Sequence, residues 1–261
     1  MTPVLEVRGL IVRYGGLCAV DDVALHVDGG EVVGLIGPNG AGKTTFIDAV
    51  CGYTPTQAGS VTVGGRQLGH LPPHRRARLG LGRTFQSLEL FDDLTVAQNL
   101  AVMGVPTGPA AVATDLAGPR RSTIATATAV VATLETLGLT DVASRLPAEL
   151  SNGQRHLVAL ARAMAAAPRI LCLDEPAAGL DPSETELLAD VVRSIAAGGT
   201  AVLLVDHDMD LMFGTCDRLE VLDFGRTIAS GTPVEVRRNP TVIDAYLGTV
   251  HPAVSSRESA P

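Results

Sequence analysis

Eight residues, Gly37-Pro38-Asn39-Gly40-Ala41-Gly42-Lys43-Thr44, follow directly on the apolar run Val32-Val33-Gly34-Leu35-Ile36. Glycines at this density strip the segment of side chains. Successive backbone N–H groups can then turn inward around a triphosphate, and a following helix adds the positive end of its dipole. The spacing lets Lys43 reach the β- and γ-phosphates and lets the Thr44 hydroxyl ligate magnesium, with Thr45 extending the cradle. A second cluster is Ile170-Leu171-Cys172-Leu173-Asp174-Glu175. An apolar strand ending in two carboxylates presents them at its carboxyl end, where a parallel sheet binds its ligand. Asp174 is placed to hold magnesium, directly or through water, and Glu175 to accept a proton from an attacking water. Taken alone, the pair could equally cap the turn before Pro176.

The elements that must position these groups alternate in type. Residues 4–8 and 19–27 contain short alternating segments typical of half-exposed strands. Residues 32–36 are continuously apolar, as in a strand covered on both faces, and 43–51 follow as a helix. Residues 61–63 and 81–85 are further short strands. From Thr95 the texture changes to Ala, Thr, Val and Leu with helical spacing at 128–137, interrupted by a loose stretch over 104–121. The α/β pattern resumes with a helix at 153–167, a strand at 170–173, a helix at 183–197, a strand at 200–205 and a short helix after Asp208. A hairpin over 217–230, turning at Phe224-Gly225-Arg226, and a helix pair ending near Leu247 complete it. Alternating buried strands and helices imply a parallel sheet with helices on both faces.

The bulk composition narrows the function classes. The 261 residues are 46% hydrophobic and include 28 glycines, no Trp and 3% aromatics, so the core must rest on Val, Leu, Ile and Ala. A net charge of −8 argues against gripping nucleic-acid phosphates, and no nucleic-acid partner is expected. Arg75, Arg76 and Arg78 read as a solvated turn face. Cys18, Cys51, Cys172 and Cys216 are widely spaced without a CxxC, which fits reduced thiols rather than disulfides or zinc. The N-terminus has no signal-peptide pattern. The longest apolar stretch, 156–173, is broken by Arg162, Pro168 and Arg169, so any membrane role is played from the water side.

Further motifs carry a family resemblance. Leu150-Ser151-Asn152-Gly153-Gln154 resembles the signature sequence of ATP-binding cassette (ABC) proteins and sits at a helix start upstream of the carboxylate pair. The family's glutamine loop matches Gln86 in Arg83-Thr84-Phe85-Gln86, and its D-loop matches Ala178-Gly179-Leu180-Asp181. Its switch histidine matches His207, and its adenine-stacking aromatic matches Tyr14. The resemblance implies an α/β P-loop NTPase: a mostly parallel sheet core, an N-terminal antiparallel β subdomain and an inserted α-helical subdomain over about 95–165. One ATPase domain would span 1–250, with a flexible tail over 251–261.

The roles implied are those of an ATPase using ATP and Mg2+. Tyr14 would stack on adenine, Gln86 would reach magnesium and the attacking water, and His207 would bond the γ-phosphate and steady Glu175. Ser151 and Gly153, with Asn152, Gln154 and Asp181 beside them, would complete the ATP site of a second cassette, identical or paralogous. Asn152 departs from the glycine or aromatic residue often found there. The other histidines, His26, His70, His74, His156 and His251, read as surface or core fillers.

A narrower resemblance lies between the motifs. Residues 82–91, 94–100 and 231–248 are similar to the cassettes of branched-chain amino acid importers. This implies ATP-driven uptake of Leu, Ile or Val, or of a relative such as urea or short amides. It also implies permease subunits, an indirectly coupled solute-binding protein and a peripheral place on the cytoplasmic face of the membrane. Residues 87–91 would serve as a socket for a partner helix or as ordinary subdomain packing. A soluble ABC protein acting on ribosomes or DNA is the competing class; the single cassette, lack of heptads and negative charge disfavour it.

Overall fold

The computed structural model describes residues 2–84, 88–102 and 120–247, with backbone alone over 120–126 and at 247. The described residues build two sheets. An antiparallel sheet joins β1 (Leu5–Tyr14), β2 (Leu17–Val27), β4 (Ala58–Val63) and β5 (Arg66–Gln67) in the order β2-β1-β4-β5. The second contains β3 (Val32–Ile36), β6 (Leu81–Arg83), β7 (Ile170–Asp174), β8 (Ala201–Val205), β9 (Arg218–Asp223) and β10 (Arg226–Gly231). Its order is β10-β9-β3-β8-β7-β6. Strands β9, β3, β8, β7 and β6 run parallel, and β10 returns antiparallel to β9 as the expected hairpin.

Strand periodicity of two divides the core. Val33 and Leu35 of β3 pack with helix α1 (Lys43–Cys51) and the antiparallel sheet, whereas Val32 and Ile36 face the opposite layer. That layer contains α5 (Asn152–Ala165), α6 (Pro182–Ala197) and α7 (Met209–Thr215). Helix α1, with Phe46 fully buried, therefore lies between the two sheets. Strands β1 and β2 run longer than their alternating segments suggest. Register shifts between Val7 and Leu10, and again to Val12 and Arg13, keep the pair hydrogen-bonded through the irregular stretch.

The other helices are α2 (Pro73–Ala77), α3 (Val96–Ala101), α4 (Arg120–Thr136), α8 (Pro233–Arg238) and α9 (Pro240–Leu247). Val130 and Leu134 form the buried face of α4, in line with the helical spacing at 128–137. Most of the loose stretch expected over 104–121 lies outside the described residues, as does the tail 251–261, while 120 and 121 belong to α4. Helix α5 packs on α3 and α4 and also on α6, which makes it a shared wall between the helical part and the sheet core. Among the described residues no helix is long and apolar enough to cross a membrane.

Arg76 corrects the reading of a solvated basic turn: it is 5% exposed. Its guanidinium donates to the carbonyls of Ala49 and Val50 in the last turn of α1 and to Leu71 and Gly69. A cation at a helix C-terminus satisfies orphan carbonyls and the negative dipole end together. Arg75 and Arg78 remain exposed as expected. Cys51, Cys172 and Cys216 are buried free thiols and Cys18 is half-buried.

Candidate nucleotide site

The loop 37–42 leaves the carboxyl end of β3 and enters α1 through Gly42. Gly42 has φ 102°, and a Cβ there would stand 2.3 Å from the carbonyl oxygen of Ala19 in β2. Only glycine fits this close approach. No side chain caps α1 and no acid occupies its first turn. Its N-terminal N–H groups and dipole are thus directed at the loop, the arrangement that binds phosphate.

Above the loop is an open cavity of about 380 Å³. Tyr14 lines it, with Asn39, Gly40, Ala41, Gly42, Lys43, Thr44, Thr45 and Glu175. Gly37 and Pro38 belong to the same cradle through their carbonyls, which accept from Lys43 Nζ at 2.7 and 3.1 Å. Burial lowers the Lys43 pKa, opposed by the charges of Glu175 and Asp174. Tyr14 ends β1 half-exposed, its hydroxyl 3.3 Å from Thr54 Oγ1. Leu17 and the very exposed Phe224 share the cavity rim, and sequence reasoning missed both. It also missed Tyr246 of α9, whose phenol approaches the Gly37 backbone although its burial raises the pKa.

The two carboxylates differ. Asp174 ends β7 almost fully buried, 3.0 Å from an Arg83 guanidinium that also holds Asp48 of α1 at 2.6 Å. Burial raises the Asp174 pKa, and the Arg83 charge and hydrogen bond pull it back. Glu175 adopts φ 49°, a left-handed conformation costly for a side chain that is not glycine, with its N–H bonded to Val205 O at 2.7 Å. That kink turns Glu175 into the cavity while Asp174 stays in the sheet register. Among the described residues no three His, Cys, Asp or Glu side chains cluster to hold a metal. Magnesium prefers one or two protein oxygens plus water and phosphate; the Thr44 hydroxyl lines the cavity and can supply one, whereas Asp174 lies outside the lining, engaged by Arg83.

His207 follows β8 with an exposed ring, its Nδ1 3.5 Å from the buried Asp206 carboxylate. His156 is half-buried outside this cavity, its ring Nδ1 2.8 Å from the Pro176 carbonyl, and burial lowers its pKa. Gln86 lies outside the described residues. Ser151, Asn152, Gly153 and Gln154 begin α5 and do not line the cavity. Ser151 caps the helix by accepting from Gln154 N–H at 3.1 Å. Asp181 caps α6, accepting from the Ser183 hydroxyl at 2.7 Å and from Glu184 and Ser183 N–H at 2.9 and 2.8 Å, and these bonds lower its pKa.

This geometry offers a triphosphate cradle with a half-buried cation, a hydroxyl and the Glu175 carboxylate, with Asp174 one residue behind in β7. Residues 20–178 match the family described as ABC transporter. The chain belongs to that family. It is an ATP-binding cassette and an ATPase, and the α/β architecture expected from the resemblance is borne out. Residues 226–252 of the cassette match a second description, branched-chain amino acid ATP-binding cassette transporter. The high-affinity branched-chain amino acid transport ATP-binding protein LivG of Salmonella typhimurium is 41% identical over 250 residues, covering 94% of the cassette and 98% of LivG. The corresponding protein BraF of Pseudomonas aeruginosa gives the same 41% identity over 250 residues and the same coverage. A crystal structure titled as a nucleotide-free ATP-binding cassette from an ABC transporter superposes with TM-score 0.82 at 28% identity, over 95% of the cassette and 100% of that chain.

Proposed function

We propose that this cassette is the ATP-hydrolysing subunit of an importer for branched-chain amino acids. It would work in pairs on the cytoplasmic face of the membrane, docked on permease subunits that a solute-binding protein supplies. The observation that carries the cargo reading is the full-length similarity to LivG and BraF joined to the C-terminal match over 226–252.

In this reading Tyr14 stacks on adenine and the 37–45 cradle wraps the phosphates. Lys43 neutralises β- and γ-oxygens, and its link to the Gly37 and Pro38 carbonyls keeps it over the loop. Thr44, Asp174 and Gln86 would hold magnesium, which when bound draws charge off the leaving phosphate. Glu175, aimed by its backbone kink, takes the proton from the attacking water, and His207 steadies the γ-phosphate side. Ser151, Asn152, Gly153, Gln154 and Asp181 face a second cassette rather than their own cavity, so each chain supplies half of two sites. Loss of the γ-phosphate removes the bridge and reopens the pair. Leu88, Leu90 and Phe91 sit just past Gln86; half-exposed Phe91 lies 4.9 Å under the Arg162 guanidinium and suits a permease helix.

Two measurements test this. A Glu175→Gln chain should turn over ATP roughly two or more orders of magnitude more slowly and accumulate as an ATP-bound dimer. Undiminished hydrolysis would remove Glu175 as the base. Membrane vesicles carrying the cassette with its co-purifying permease should take up labelled leucine, isoleucine or valine on ATP addition. Uptake of urea or an amide instead would reassign the cargo.

A further inference from the structure

Helix α5 has fourteen residues, and its positive end carries two donors that matter, the Ser151 hydroxyl and the Gly153 N–H. Both already meet an anion. Glu184, in the first turn of α6, places Oε1 2.8 Å from Gly153 N and 3.5 Å from Ser151 Oγ. The approach is so close that a Cβ on residue 153 would lie 2.7 Å from Oε1. The other carboxylate oxygen accepts from Asp181 N–H at 3.3 Å, while Asn152 Nδ2 donates to Gly179 O at 2.8 Å. The signature helix and the D-loop are therefore tied together, with Glu184 at the knot.

We propose that Glu184 is an internal stand-in for the γ-phosphate. It occupies the anion site of the signature helix in the separate cassette and leaves Gly153 when two cassettes close on ATP. The inference rests on the two-cassette reading above. An N–H of this kind serves one anion at full strength, and a carboxylate and a phosphate oxygen on the same donor repel each other. Glu184 is half-exposed on a flexible stem, so it can rotate outward. It thereby sets how much ATP closure requires, and it reclaims Gly153 once the γ-phosphate has gone. A purely structural Glu184 would act with the opposite sign: removing it would loosen the helix start and weaken closure.

The test is ATP-driven dimerisation of the Glu175→Gln chain, followed by analytical ultracentrifugation across ATP concentrations. Glu184→Ala, added to that background, should lower the ATP concentration for half-maximal dimer about tenfold, a change of about 1.4 kcal/mol. Glu184→Gln keeps an acceptor for Gly153 without the charge and should fall between. With Glu175 intact, both variants should lower KM for ATP. An unchanged or raised half-point in both variants overturns the stand-in role while leaving the two-cassette reading in place. Failure of the Glu175→Gln chain itself to dimerise on ATP overturns both.

Discussion

The shielded carboxylate of Asp206 accepts the Ala177 N–H at 3.1 Å through one oxygen and those of His207 and Asp208 at 2.7 and 3.0 Å through the other. Ala177 lies two residues beyond Glu175, so one side chain fixes the spacing between the proposed base and the proposed switch histidine. Asp206→Ala leaves these donors short of an acceptor, at about 1–3 kcal/mol for each that stays buried. A lower Tm should accompany a fall in kcat of about tenfold or more, because small misplacements of reacting groups are costly. Binding of a fluorescent ATP analogue, set by the separate 37–45 cradle, should change much less.

Arg83 plays the corresponding part for the carboxylate that ends β7. It pairs Asp174 with Asp48 and lies nearly buried itself. Removing one partner of a buried pair strands the other, so Arg83→Met should cost about 3 kcal/mol or more in urea denaturation. The pH effect has a definite sign. The folded Asp174 pKa is already raised by burial, so this group favours folding at low pH and loses that contribution as pH rises through the folded pKa. Arg83 opposes the rise. Without it Asp174 keeps its proton to higher pH, and the acid limb of kcat/KM should move upward.

The sequence made the centre of the sheet core legible because β3, β7 and β8 are short, buried and almost wholly apolar, and each is followed by punctuation: Gly37 after β3, Glu175-Pro176 after β7, His207 after β8. The chemistry-bearing residues were legible for the same reason, since a parallel sheet delivers whatever follows its strands to one edge. What local pattern could not reveal was long-range. Arg76 reads as one of three surface arginines until the end of α1 is brought against it. Phe224 and Tyr246 reach the cradle only because β10 turns back along β9 and the C-terminal helices fold over it. Glu184 and Asp206 look like ordinary acids beside their motifs; only the fold shows which N–H groups they hold.

Lys43 gives the cleanest separation of binding from folding. Its ammonium is held by two loop carbonyls that solvent can also serve, so Lys43→Ala should leave Tm within a few degrees. ATP affinity should fall about a hundredfold or more, measured by calorimetric titration, because a charge-assisted contact to two phosphates is lost. Burial lowers the folded Lys43 pKa, while Glu175 and Asp174 raise it. In the Glu175→Gln chain one of those supports is gone. The alkaline loss of ATP affinity should then begin at lower pH than in the unaltered protein.

Asn99 ties the segment after the glutamine loop to the helical part. It is fully buried in α3, and its Oδ1 accepts the Phe91 N–H at 2.9 Å. Its Nδ2 donates to the carbonyls of Phe91, Leu94 and Thr95 at 3.1, 3.0 and 3.1 Å. No solvent can replace these bonds, so Asn99→Ala should cost about 1–3 kcal/mol. Asn99→Asp restores the acceptor but not the donors, and buries a charge; it should be worse than alanine. Nucleotide binding by the isolated cassette should survive the alanine change, because the cradle shares no bond with this segment. Uptake in vesicles should fall further than ATP hydrolysis does if exposed Phe91 docks the permease as proposed. Equal losses of uptake and hydrolysis would mean that residues 88–91 serve packing rather than docking.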